Sequence, residues 1–482
     1  MFEQIKRLVS DTAIYGVSTI LGRLLNFLLV PLYTHILVPS DYGIVATLYS
    51  FIAFYTIIYS YGLESAYFRF AGMKEIGDEK ENFSTPFSSY LITSALLSFA
   101  LIVFAQQATV IFQIEISMYR LCYYVAGILF FDTLALLPFA ALRLERKAKL
   151  FASIKIVNIV VNLGLSIIAL VEWKWGIEGI LFSNLASSVL TFMLLIPTTL
   201  KYFRLTFRKD LYKEMLKFGL PLIPVLLSGM VLQIADRPIL KVLMDDASVG
   251  IYQANYRLGI FMAVITATFE YAWRPFFLSH AKDPNAKSMF ARIMTYYLFV
   301  TLTIFLGLSF FLDAVIKYKF FGTTILPSVY WDGLQIVPYV LLGYVFSGIA
   351  TNFNAGIQIE KKTMYLLPTS LSGSITNVVL NFMLIPIFGI MGAAYATAIG
   401  YLMVAVTLYF VVQKFYYIEY EFVRIGKLVT TVIVAFAASK LFFESIPLKL
   451  FILSAWFASL FLIGFFTKEE LLRLKNLFGK TS

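Results

Sequence analysis

Residues 364–412 read MYLLPTSLSGSITNVVLNFMLIPIFGIMGAAYATAIGYLMVAVTLYFVV. No charged side chain interrupts the run between Lys362 and Lys414. A helix needs about 20 mostly apolar residues to cross about 30 Å of hydrocarbon. The stretch is therefore predicted to hold two membrane spans, near 364–386 and 389–412, that turn around Gly389.

The same pattern repeats outward in both directions. Further spans are predicted near 12–34, 43–63, 86–108, 119–141, 151–171 and 177–199, then near 217–237, 249–270, 289–312 and 334–356. Two more follow near 428–446 and 448–467. Pro221 and Pro224 weaken the seventh, which a membrane helix tolerates when neighbours re-satisfy the freed backbone groups. The polar stretches 69–85 and 201–217 are too short to be soluble domains. Across 482 residues, 60% are hydrophobic and 14% charged, against about 25% charged in a soluble domain. The expected fold is an all-α polytopic membrane protein of about fourteen transmembrane helices.

The few charges are unevenly shared, with 39 Lys and Arg against 28 Asp and Glu. With the N-terminus inside and the sides alternating, roughly 28 cations fall inside and roughly 8 outside, as the positive-inside rule requires. Both chain ends are then expected in the cytoplasm. The basic loop 201–217 reads as a topology determinant near anionic lipid. The tail 468–480 reads as an amphipathic helix on the inner surface. The leading segment MFEQIKRLVSDTAIYG lacks a cleavable apolar core and is expected to be retained. So greasy a chain does not point to nucleic acid. Cys122 is the sole cysteine, which excludes an intramolecular disulfide or a Cys-based metal site. His35 and His280 belong to no cluster, so no metal is expected.

The two halves echo one another. Asn158 and Asn162 correspond to Asn377 and Asn381, and Gly176–Gly179 to Gly389–Gly392. Glu64-Ser65-Ala66-Tyr67 corresponds to Glu270-Tyr271-Ala272-Trp273, and Gly43 to Gly250. The offset is about 210 residues, or six spans, so the halves share one orientation as parallel repeats. The expected domains are an N-lobe at 1–205, a C-lobe at 206–415, and two extra helices with the tail at 416–482.

Membrane-embedded charges are functional candidates by default. Arg23 lies roughly 16 Å into the first span and Arg257 roughly 12 Å into the eighth, at about 1.5 Å per residue. A guanidinium matches phosphate oxygens in bidentate fashion, so these two are the expected diphosphate contacts; the competing reading is a structural ion pair. Asn26, Gln233, Asn255 and Tyr256, with Tyr15 and Tyr33, are candidate sugar contacts by proximity to them. Asp132, embedded in the fourth span, is a candidate for ion coupling. Glu64 with Arg69, and Glu270 with Arg274, are candidate gating pairs or ordinary interfacial charges. Asp236-Arg237 is a candidate for coupling or a local structural pair. Lys155 reads as a side chain that snorkels to the interface. The paired asparagines read first as interhelical glue.

Several segments carry a family resemblance. They are Pro39-Ser40-Asp41-Tyr42-Gly43, Gly62-Leu63-Glu64-Ser65-Ala66, Gly219-Leu220-Pro221-Leu222-Ile223-Pro224 and Ala235-Asp236-Arg237. Val249-Gly250-Ile251-Tyr252, Ala272-Trp273-Arg274-Pro275-Phe276 and the run from Asn377 to Ala394 complete the set. In order and span count the chain resembles the polysaccharide flippases of the multidrug/oligosaccharidyl-lipid/polysaccharide exporter superfamily. The resemblance implies a transporter, not an enzyme. It implies flipping of an undecaprenyl-diphosphate-linked oligosaccharide across the bacterial cytoplasmic membrane, for O-antigen (lipopolysaccharide), capsule or exopolysaccharide. It also implies two lobes in alternating access, a proton or sodium gradient in place of a cofactor, and as partners membrane lipid and a polysaccharide polymerase. The competing readings are a multidrug/cation antiporter of the same superfamily and, more weakly, a membrane-embedded polymerase or glycosyltransferase. The polymerase reading wants a large outside loop, which the predicted topology lacks.

Overall fold

The structure is a computed structural model that describes residues 22, 25, 27–73, 76–320, 322–441, 445–468 and 470. Among them, eleven helices are long and apolar enough to cross a membrane. In chain order the elements begin with α1 (Leu29–Ile36), α2 (Pro39–Ser60), α3 (Leu63–Met73), α4 (Glu79–Val103) and α5 (Ala105–Ile111). Next come α6 (Leu121–Leu144), α7 (Ala148–Ile167), α8 (Gly176–Tyr202), α9 (Lys209–Gly219) and α10 (Ile223–Ile234). Then follow α11 (Asp236–Leu243), α12 (Asp246–Tyr256), α13 (Ile260–His280) and α14 (Ala286–Lys317). The last are α15 (Val337–Ile359), α16 (Leu366–Phe388), α17 (Ile390–Gln413), α18 (Phe422–Leu441) and α19 (Ile446–Leu462). A two-stranded antiparallel hairpin, Lys319–Phe320 with Thr323–Thr324, precedes α15.

The helices are built inside out relative to a soluble protein. On α4, Ser84, Thr85, Ser89, Ser94 and Ser98 are buried, while Ile92, Leu96, Phe99 and Val103 are exposed. Ser94 returns its hydroxyl to the Tyr90 carbonyl at 2.5 Å and Ser98 to that of Ala126 at 3.0 Å. On α16, Ile375, Val379, Phe382 and Met383 are exposed while Asn377 and Asn381 are fully buried. Such apolar surface is stable only against lipid. The chain is a multi-pass membrane protein.

Three expected spans are missing from the eleven. The first lies largely outside the described residues. In the eighth, a 3₁₀ turn at Arg257–Gly259 leads from α12 into α13, which is 21 residues long but, with Glu270 and Arg274, falls short in hydropathy. The fourteenth is a helix of only 17 residues, Ile446–Leu462. In the seventh, a 3₁₀ turn at Leu220–Leu222 separates α9 from α10, where Pro221 and Pro224 remove backbone donors.

The chain packs into two compact units. The first comprises Met1–Ile260, Leu326–Ile336 and Met364–Val404. Its central feature is the crossing of α2 and α12. A Cβ on Gly43 would stand 1.8 Å from the Asp246 carbonyl oxygen, and one on Gly250 1.9 Å from that of Pro39. No side chain larger than hydrogen fits, so the two repeat-related glycines form one backbone contact. Gly62, at φ +78°, meets Gly219 in a second close approach. Near the first crossing, Tyr330 donates to the Leu37 carbonyl at 3.1 Å, and the rings of Tyr33, Tyr42 and Tyr330 pack edge to face.

The second unit comprises Phe261–Ile325, Val337–Thr363 and Ala405–Ser482. Phe299 of α14 stacks on Phe465 and meets Phe457 and Phe466 edge on. Arg424 joins Glu421 and Glu470, both at 3.0 Å, and Tyr296 donates to Glu470 at 2.5 Å. Burial pushes the Glu470 carboxyl up; hydrogen bonds from Tyr296 and the Thr467 N–H, with the Arg424 charge, outweigh it and hold it below the usual range.

Candidate functional site

The expected residues separate into several groups. Arg23, Asn26 and Tyr15 lie outside the described residues. Asp236 and Arg237, at the start of α11, form a buried ion pair at 2.5 Å. Arg237 also donates to Gln253 at 3.1 Å and to the Gln233 carbonyl at 2.5 Å, and its guanidinium lies 4.2 Å from the Tyr256 ring centroid. Asp236 accepts from Tyr252 at 2.5 Å and from Thr397 at 3.4 Å. Asn377 donates to Thr397 at 3.3 Å and Asn381 to Asn377 at 3.1 Å. The carboxylate is neutralised within the protein, and a mobile cation would have to displace the guanidinium to reach it.

Two of the neighbouring sugar candidates are buried and one is exposed. Asn255 is fully buried and donates to the carbonyls of Ile251 and Tyr330 at 2.8 and 2.9 Å. Tyr256 is buried beneath Arg237. Gln233 keeps an exposed side chain.

The gating pairs also differ from expectation. Glu64 is ion-paired with Arg143 of α6, while Arg69 stands over the Phe218 ring at 4.8 Å. Sequence spacing pointed to Arg69, yet α6 packs beside α3 and brings Arg143 closer. In the second unit, Glu270 and Arg274 are both exposed and no ion pair joins them.

The remaining candidates meet along one polar track within the first unit. Arg257 sits in the 3₁₀ turn, half-buried, within electrostatic range of the Tyr33, Tyr42 and Tyr49 hydroxyls. Asn184 donates to Tyr49 at 2.9 Å, and Tyr33 shares a 3.4 Å hydrogen bond with Ser166. Tyr49 lies in turn within electrostatic range of Asp132. Asp132 lies within electrostatic range of Lys155, and Lys155 within range of Glu64 and Arg143. Asn158 bridges α7 to α8 through the Ser187 carbonyl at 3.1 Å and the Thr191 hydroxyl at 2.8 Å. The track thus runs from Arg257 through tyrosine, asparagine and serine groups to Asp132, Lys155 and Arg143.

Lys155 meets an aromatic ring. Its ammonium lies 4.4 Å from the Phe139 ring centroid, on the α6 side of its helix. Sequence reasoning missed it because its direction depends on which helix stands beside α7. A signal was present nonetheless, since Lys155 shares the helix face of Asn158 and Asn162.

Beyond the track, Glu145 joins Lys147 at 2.8 Å and also Lys201. Burial raises its carboxyl, and the two ammonium groups more than reverse this. Arg204 pairs with Asp78 at 3.1 Å, and Arg208 with Glu81 at 3.0 Å. These bridges tie the basic loop to the capped start of α4.

Comparison with known proteins places this geometry. The sequence model of a family described as "Polysaccharide biosynthesis protein" matches residues 33–329. No curated protein matches the chain in sequence. Among solved structures, the chain is similar to the lipid II flippase MurJ in its inward closed conformation, with TM-score 0.74 and 17% identity, covering 93% of this chain and 98% of that one. It is also similar to an inward-facing multidrug resistance MATE family transporter of the MOP superfamily, with TM-score 0.65 and 16% identity, covering 82% and 94%. A MATE transporter from Vibrio cholerae follows at TM-score 0.57 and 13% identity, covering 85% and 96%. At these identities the structures establish a shared fold.

Proposed function

The chain belongs to the polysaccharide biosynthesis protein family, and from that premise we propose that it flips an undecaprenyl-diphosphate-linked oligosaccharide from the inner to the outer leaflet of the bacterial cytoplasmic membrane. Arg257 is the observation that carries this reading. It is a membrane-embedded guanidinium for which no carboxylate stands at ion-pair distance among the described residues. An arginine at a helix centre costs about 2.5–3.5 kcal/mol on insertion scales. An anionic ligand that recruits it offsets that cost, and a diphosphate matches it in charge and shape. The diphosphate is placed against Arg257 and Arg23, one from each half of the repeat. The hydroxyl and amide groups of the track are placed along the sugars.

The same proposal includes fourteen spans, lobes at 1–205 and 206–415, two added helices at 416–482, and both chain ends in the cytoplasm. Asp132 is its candidate for proton or sodium coupling, because its carboxylate is half-buried and has no salt bridge. The product is handed outward for O-antigen, capsule or exopolysaccharide assembly.

In proteoliposomes loaded with a fluorescent undecaprenyl-diphosphate-linked oligosaccharide, wild-type protein is expected to move label between leaflets. Arg257→Ala is expected to lose that activity at least tenfold, at unchanged expression and thermal stability. Full activity in this variant contradicts the assignment.

A further inference from the structure

We propose that Lys155 forms a second anion site on the track and takes a phosphate of the lipid-linked substrate; the proposal rests on the flippase reading and extends it to a residue outside the Arg23 and Arg257 pair.

Lys155 lies about 10 Å along α7 from its start, at about 1.5 Å per residue. Lys155 is an exposed residue of α7, with its ammonium set deep among protein atoms. A lysine at such a depth ordinarily extends its stem toward the interface. The Lys155 head lies toward α6, over the Phe139 ring at 4.4 Å. Three charged groups surround it electrostatically: Asp132, Glu64 and Arg143.

None of them neutralises it by contact. The Glu64 carboxylate is taken by Arg143. Asp132 stands beyond ion-pair distance of Lys155. The ammonium therefore keeps its three donors while the ring stabilises its charge from one side. Asn158 and Thr191 already bond to each other at 2.8 Å and hold the adjoining face rigid.

A compact ammonium with free donors beside an aromatic ring suits a phosphate oxygen, which it binds as a point charge. Asp132 has the opposite sign and opposes an anion at Lys155. This gives the site a signature that a packing role for Lys155 lacks. Removing the Asp132 charge should strengthen anion binding, whereas removing the Lys155 charge should weaken it.

Purified full-length protein in nanodiscs tests this with two probes, farnesyl diphosphate and uncharged farnesol. Relative to wild type, Lys155→Gln is expected to bind farnesyl diphosphate about tenfold more weakly, and Lys155→Arg within about twofold. Asp132→Asn is expected to bind it about threefold more tightly. Farnesol binding is expected to be the same in all four proteins. Wild-type affinity in Lys155→Gln, with loss in Arg257→Gln, overturns the Lys155 site and leaves the flippase reading standing. Weaker diphosphate binding in Asp132→Asn also overturns the site. Equal binding of diphosphate and alcohol by wild type overturns the flippase reading and the Lys155 site together.

Discussion

Asp236 and Arg237 occupy neighbouring positions in the chain and neutralise each other where both are buried. Tyr252, Gln253 and Thr397 complete the shell. Removing one member leaves an uncompensated charge, which typically costs about 3–5 kcal/mol. Arg237→Ala is thus expected to lower the melting temperature of the detergent-solubilised protein by several degrees, and a melting curve matching wild type contradicts a structural role. Arg257 behaves differently, with tyrosines around it and no carboxylate in contact. The sequence made both arginines visible as charges in apolar surroundings. It offered a local pair with Asp236 as one reading of Arg237; the rest of the shell, from Tyr252, Gln253 and Tyr256 of α12, depends on tertiary packing. The direction of the Lys155 ammonium likewise depends on the helix beside it.

The repeated asparagines act between neighbouring helices. Asn158 joins α7 to α8 through Ser187 and Thr191, and Asn377 joins α16 to α17 through Thr397. Each interhelical hydrogen bond in a membrane is worth about 0.6–2 kcal/mol. Asn377→Leu should therefore lower thermal stability and Asn158→Leu should lower it less, because Asn377 is fully buried and Asn158 only partly. An increase in stability in both variants contradicts the glue reading. Helix positions were legible in the sequence wherever an uninterrupted apolar run set the length, as in α16 and α17. Breaks were legible only where proline announced them, as at Leu220–Leu222. The break at Arg257–Gly259 carries no proline, and no local pattern announced it. Gly43 and Gly250 were visible only as a matched pair about 210 residues apart, as expected of a parallel repeat; the structure shows that they touch.

For the whole molecule, the excess of cations over acids has two sources. Most of the cations sit in polar loops, where Arg204, Arg208 and Lys201 are held by acidic partners. A small remainder stands on the polar track, where Arg257 and Lys155 have no acid at ion-pair distance among the described residues. The account holds that this remainder serves an anionic lipid. A direct comparison of two cargoes in one preparation tests it. Wild-type proteoliposomes are given a fluorescent undecaprenyl-diphosphate-linked oligosaccharide in one arm and ethidium with an imposed proton or sodium gradient in the other. Transfer of the glycan lipid between leaflets without gradient-driven ethidium transport is the predicted result. Ethidium transport with no transfer of the glycan lipid contradicts it.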